Sequence, residues 1–313
     1  MALTIGVDVG GTKIAYGVVD EHGTILERGL RHSPAGSPEK MALTIADAVT
    51  ELAARHAVEA VGIGAAGFVD ETRSVIRFAP NLAWREEPLR KKVGELVGLP
   101  VVVENDANAM AWGEYRFGAG RGESHVVCVT VGTGIGGGIV LGGELYRGRW
   151  GMGAELGHMQ AVPGGRACGC GNSGCWERYA SGSALLMEAR NNAQADPAGA
   201  THLLRLGGSV EGIQGEHVTE AARQGDRAAL AAFESLAEWL AQGLADMAAV
   251  LDPGCFVIGG GVSGAADLFV DRVREEFAAR LTGRGHRPPA EIRVAEMGPS
   301  AGLVGAGDLA RLR

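Results

Sequence analysis

IGVDVGGTKIAYGVVD, residues 5–20, and VTVGTGIGGGIVLGGE, residues 129–144, follow one pattern: a β-rich run, a Gly/Thr turn, a second β-rich run and another turn. β-branched residues fit a pleated strand, and glycine supplies the turn. Read as a repeat, the two stretches predict a chain built from two similar halves. A glycine turn after a strand also lets backbone N–H groups approach a phosphate with no side chain in the way.

Outward from these turns the chain reads as alternating strands and helices. Leu3–Val9, Ile14–Val19 and Thr24–Leu30 are strands, the last two joined by Asp20-Glu21-His22-Gly23. Ser37-Pro38 starts a helix that runs to about His56, since Ser caps and Pro suits the first helical position. Val58–Ala65 is a strand, Pro88–Val97 a helix, Pro100–Val103 a strand and Ala107–Phe117 a helix. His125–Val131 and Ile135–Leu141 flank the second glycine turn. From Gly182 the chain is mostly helical, and the apolar spacing of Phe233–Leu251 ends at Asp252-Pro253-Gly254. Then come strand Cys255–Ile258, the turn Gly259-Gly260-Gly261, helix Ala265–Leu281, strand Ile292–Ala295 and a last helix from about Leu303. The expectation is an α/β chain of two domains, residues 1–118 together with the helix 302–313, and residues 119–301.

Net charge is -8, and no Lys/Arg run interrupts the sequence, so neither nucleic acid nor a membrane surface is an expected partner. MALTIGVDVGGTK carries no charged leader, and no apolar run approaches the roughly 18 residues of a membrane span. A reducing, cytoplasmic setting is the expectation. There, clustered cysteines serve as metal ligands or catalytic groups more often than as disulfides.

Three glycine turns follow strands, near residues 10, 132 and 259. GVDVGGTK is not a Walker A loop, because Lys13 follows Thr12. Gly132, Gly134 and Gly137 match G-x-G-x-x-G, yet the chain continues as strand instead of opening a helix. Gly259, Gly261 and Gly264 match with strand and helix in place, which leaves a dinucleotide site as the alternative to a nucleotide held between two halves. Asp8, one residue before a turn, can hold Mg²⁺ through water against phosphates, or simply accept turn N–H groups. Asn105-Asp106 follows the strand PVVVE and opens a helix. Either residue can cap it, and Asp106 can also serve as a general base toward a hydroxyl.

His158, Cys168, Cys170 and Cys175 supply four soft ligands, enough for a closed tetrahedral zinc. Four protein ligands leave no open position for catalysis, and the flanks lack the second Cys/His pair and the basic residues of a nucleic-acid finger. A structural clip remains. It would fix Glu155 and Glu177, just outside the ligands, as acceptors for hydroxyl groups, and would leave one His158 ring nitrogen for substrate.

DVGGTK (8–13), VENDAN (103–108), TVGTGIGGGIV (130–140), ELGH (155–158) and CGCGNSGCWE (168–177), in this order and spread over the whole chain, resemble the ROK family of sugar kinases and repressors. Within it the chain is most similar to members that phosphorylate glucose with ATP. The resemblance implies the actin-like, hexokinase-type ATPase fold, two α/β domains with an interdomain cleft. It also implies a homo-oligomer, dimer or tetramer. It assigns Asp106 as the base and places Asn105, Glu155, His158 and Glu177 on the sugar. Gly10, Gly11, Thr12, Lys13, Thr133 and Gly134 fall near the ATP phosphates, and Gly259, Gly260, Gly261 and Val262 near adenosine. Zn²⁺ falls to His158, Cys168, Cys170 and Cys175, and Mg²⁺ accompanies ATP. Family repressors carry a DNA-binding domain before the first phosphate turn; with that turn at residue 10, a kinase is expected. Fructose, mannose or N-acetylmannosamine as acceptor, polyphosphate as donor, and a non-catalytic sugar sensor are the alternatives.

Overall fold

In the computed structural model, which describes residues 3–312, β1 (Leu3–Val9) and β2 (Lys13–Val19) form the first antiparallel hairpin, and β3 (Ile25–His32) extends it. Helix α1 (Pro38–Ala53) opens as its sequence dictates: Ser37 Oγ accepts from Lys40 N at 3.3 Å, and Pro38 takes the first turn. Met41, Ile45, Val49 and Leu52 recur at helical spacing and are buried. Each such side chain contributes roughly 1.5–3 kcal/mol by leaving water. Strand β4 (Val58–Ala65) follows, then β5 (Phe68–Val69), β6 (Ile76–Phe78), β7 (Arg85–Glu87), α2 (Leu89–Val97), β8 (Val101–Asn105) and α3 (Asp106–Phe117). The chain continues through β9 (Val126–Val131), β10 (Ile135–Leu141) and β11 (Glu144–Tyr146) to the short α4 (Glu177–Ala180). After that come α5 (Gly182–Ala195), α6 (Thr201–Gly207), α7 (Gly215–Arg223), α8 (Arg227–Leu251), β12 (Cys255–Gly259), α9 (Val270–Arg280), β13 (Glu291–Val294) and α10 (Ala301–Leu309).

The strand orders are β3-β2-β1-β4-β8 and β11-β10-β9-β12-β13. In both, the third, second and first strands of a set lie side by side and the fourth and fifth follow, so the repeat seen in the sequence extends to whole sheets. A third sheet, β5-β6-β7, has strands of two or three residues. By internal contacts the described residues sort into two units. One holds the chain up to Cys128, Gly137–Ala154 and the chain from Ala295 onward; the other holds Val129–Gly136 and Glu155–Val294.

In the first unit, β1, β4 and β8 run parallel, with Asp8 opposite Gly64 and Ala65 opposite Asn105. Asp8 and the β8–α3 junction therefore share the carboxyl end of the parallel strands, where open α/β sheets place their ligands. Helix α10 lies against β1, β4 and α3. At Gly6 a Cβ would overlap the Leu303 carbonyl, and at Gly62 that of Ala306, so the helix meets the sheet backbone to backbone. The buried Asp308 of α10 accepts from Trp112 Nε1 at 2.9 Å and from Arg116 Nε at 3.1 Å, tying it to α3.

In the second unit, α8 runs from its cap Asp226, which also accepts from the His202 and Leu203 amides and so serves α6 as well. The helix expected over Ala265–Leu281 is interrupted. Residues 261–268 form tight 3-10 turns, and Phe269 leaves the helical path before α9 begins. Phe269 is buried and stacks on Phe233 of α8, ring centroids 6.2 Å apart, so tertiary packing breaks an apolar pattern that reads as continuous.

Candidate functional site

The first unit gathers Asp8, Lys13, Asn105 and Asp106 at one end of its sheet. Asn105 is the N-cap of α3: its Oδ1 accepts from Asn108 N at 3.0 Å, while its Nδ2 donates to the Gly67 carbonyl at 3.1 Å. Asp106 is thereby the first residue of the helix, and its Oδ1 accepts from Ala107 N at 2.9 Å. Burial raises the Asp106 carboxyl above the usual range, with the Ala107 amide opposing. Asp8 is pushed up to about 6, first by burial and then by the charge of Asp106, with Lys13 opposing. Two desolvated carboxylates side by side suit a proton acceptor next to a bound cation. In the turn itself, Gly10 N donates to Lys13 O at 3.0 Å, so the amides that can face a phosphate belong to the residues after it.

A stability test follows from Asp8. Its pKa is higher folded than unfolded, so the contribution of Asp8 to the stability of the ligand-free protein falls as pH rises from about 4 to about 6. The shift corresponds to about 2–3 kcal/mol as an upper bound. Asp8→Asn should therefore raise Tm at pH 7.5 with little change at pH 4, while ATP-dependent activity falls. A Tm difference between variant and wild type that is no larger at pH 7.5 than at pH 4 would refute this account.

In the second unit, one ligand atom from each of His158, Cys168, Cys170 and Cys175 falls within 4.8 Å of the others. Cys170 Sγ and Cys175 Sγ are 3.6 Å apart, and Cys168 Sγ and His158 Nδ1 are 3.7 Å apart. A tetrahedral zinc with Zn–S of about 2.3 Å needs S–S edges of about 3.8 Å, so the donors fit. Burial pushes the Cys168 thiol up to about 12 and also raises Cys175, whereas the Asn172 amide, first among its partners, lowers Cys170. Holding three such crowded sulfurs as thiolates calls for a cation. Strand-like bridges Gln160–Cys175 and Ala167–Ser173 fold the loop back on itself, and buried Trp176 anchors it by donating to the Trp239 carbonyl of α8 at 2.7 Å.

Glu177 stands between this cluster and the second glycine turn. Its Oε1 accepts from Cys168 Sγ at 3.0 Å and lies 3.8 Å from His158 Nδ1. Its Oε2 occupies the space a Cβ at Gly134 would need. In that turn Gly132 N donates to Gly134 O at 3.0 Å, and the Gly132 carbonyl accepts from Gly182 N at the start of α5 at 2.8 Å. Thr133 is exposed at its tip. Glu155 is also exposed and precedes the tight turn carrying His158, whose N–H donates to the Glu155 carbonyl at 3.1 Å. Gly260 has φ 87°, and a Cβ there would strike the Val131 backbone, so the third glycine turn lies on the end of β9.

Beside that turn opens a groove of about 680 Å³, lined by Gly182 and Leu185 of α5, Thr219 and Arg223 of α7, and Gly261 and Val262. Its size suits a nucleoside. Arg223 pairs with Asp267 at 2.9 Å and donates to the Gly264 carbonyl at 3.3 Å, joining α7 to the opposite wall. Sequence reasoning missed α7 as a wall because no local motif marks it. Among the described residues, no helix is long and apolar enough to cross a membrane.

Doubled sheets, glycine turns between their leading strands and carboxylates at the strand ends define the actin-like, hexokinase-type fold of ATP-dependent sugar kinases. A ROK family glucokinase structure from Streptomyces griseus, in complex with glucose and AMPPNP, is similar at a TM-score of 0.89 and 55% identity, covering 100% of both chains. The glucokinase of Streptomyces coelicolor is 53% identical over 312 residues, 99% of this chain and 98% of the relative. That of Thermotoga maritima is 36% identical over 311 residues, 99% and 97% of the two chains. The ROK family pattern itself matches residues 4–313, and the chain belongs to the ROK family.

Proposed function

We infer that this chain transfers the γ-phosphoryl group of ATP to the 6-hydroxyl of glucose. The observation that carries the reading is Asp106: a half-buried carboxylate with raised pKa, presented by a capped helix start at a strand end. A general base works best with a pKa drawn toward the working pH. The glucose oxygen attacks phosphorus in line, Asp106 receives its proton, and ADP departs with the β-phosphate oxygen. The backbone around Gly11–Lys13 and Thr133-Gly134 faces the phosphates, with Lys13 adding positive charge. Asp8 would hold Mg²⁺ through water; when bound, the ion neutralises phosphate charge. Adenosine takes the groove beside Gly259–Val262. Asn105, Glu155, Glu177 and His158 Nε2 hold the sugar hydroxyls, while His158 Nδ1 joins the three cysteines on structural zinc. A homo-oligomer acting without nucleic acid or membrane completes the reading.

A panel of hexoses in a coupled ADP assay tests it. Glucose should give the highest kcat/KM, ahead of fructose, mannose and N-acetylmannosamine, with ATP preferred to polyphosphate. A different best hexose would move the substrate within the family. Glucose binding with no ADP release would instead make the chain a sensor.

A further inference from the structure

Glu104 is a buried carboxylate immediately before the N-cap of α3, only 1% exposed, and its partners come from three separate segments of the first unit. Its Oε1 accepts from Asn105 N at 3.0 Å and from Asn108 Nδ2 at 3.1 Å. Its Oε2 forms ion pairs with Arg147 Nε at 2.8 Å and Arg73 Nε at 3.3 Å. Arg147 also donates to the carbonyls of Glu71 and Asp70, at 3.1 and 2.9 Å. The Arg73 carbonyl accepts from Val103 N at 3.1 Å, so that turn is pinned to β8 as well.

Stability alone is a poor reason for this arrangement. A buried ion pair is often no better for the fold than apolar side chains of the same volume. Its position is informative, because the hydrogen bonds of Oε1 end on residues 105 and 108, on either side of Asp106. Asn105 closes the ring through its bonds to Asn108 N and to Gly67 O. The first turn of α3 is thus held from beneath by charge and from its open end by the cap.

We propose that Glu104, locked by Arg73 and Arg147, is the positioning residue for Asp106 and Asn105, fixing the orientation from which the base meets the sugar hydroxyl. This rests on the kinase reading above. A misplacement of about 1 Å at a reacting group can cost on the order of 10²-fold in rate.

Glu104→Gln keeps an acceptor at Oε1 and removes the ion pairs. With sites counted by stoichiometric AMPPNP binding, kcat should fall at least about tenfold and the sugar KM should rise, while the ATP KM stays within about twofold. Arg147→Gln should do the same, and the double variant should be no worse than the poorer single one, because both act on one lock. If Glu104→Gln does not fold, Arg147→Gln and Arg73→Gln carry the same expectation. A folded variant with wild-type kcat and sugar KM overturns the proposal. So does a loss in which sugar and ATP constants drift together in step with Tm. Absence of hexose-dependent ADP release in the wild type overturns the kinase reading and this proposal with it, whereas an active wild type beside an unaltered variant overturns the proposal alone.

Discussion

Asp106→Ala should retain AMPPNP binding and near-normal stability while kcat for glucose falls by at least about 10²-fold, the low end for removing a general base. Stability should hold because Asn105, not Asp106, caps α3 through its bond to Asn108 N. Losing an acidic first-turn residue costs roughly 0.3–1 kcal/mol at a helix start, and relief of a desolvated carboxylate offsets it. Steady-state kinetics with circular dichroism checks both halves. Turnover close to wild type in a folded variant removes Asp106 from the chemistry. The same variant should lower the Asp8 pKa, since the charge of Asp106 helps to raise it.

Cys170→Ala should empty the metal site and cripple sugar binding more than nucleotide binding. Purified wild type should carry about one zinc per chain by elemental analysis, because four donors with tetrahedral spacing close the site. Structural zinc is worth on the order of 10 kcal/mol to a small domain, so three ligands should neither retain it through chelation nor order the loop. Glu177 and His158 then lose the frame that orients them. The glucose KM should rise more than about tenfold, in line with the cost of disturbing groups around a metal, while the ATP KM changes far less. Metal-free protein with an unchanged glucose KM would remove the clip from the sugar site.

Much of this was legible in local sequence. Val58–Ala65 and Ile135–Leu141 are β-rich runs bounded by turns and appear as strands with those limits. Ser37-Pro38 and Asn105-Asp106 announce helix starts because capping is a property of a few adjacent residues. The cluster of His158, Cys168, Cys170 and Cys175 was equally readable, since its four members lie in one short stretch of chain. What stayed hidden depends on distant partners. Arg85-Glu86-Glu87 has no apolar alternation, yet it is a strand because Ile76 and Phe78 pair with it. Glu104 gave no signal, because Arg147 lies far along the chain and only the fold brings the two charges together. Phe269 broke an expected helix for the same reason: its partner Phe233 sits on another helix.

The bare-backbone seat of α10 on Gly6 and Gly62 has a bearing on how the protein is made. Ribosomes emit β1 and β4 long before residues 301–309, which cover that face. At typical elongation speeds the nascent sheet waits roughly 10–50 seconds for its lid. That interval leaves the same surface uncovered, so maturation of this sheet is coupled to synthesis of residues 301–309.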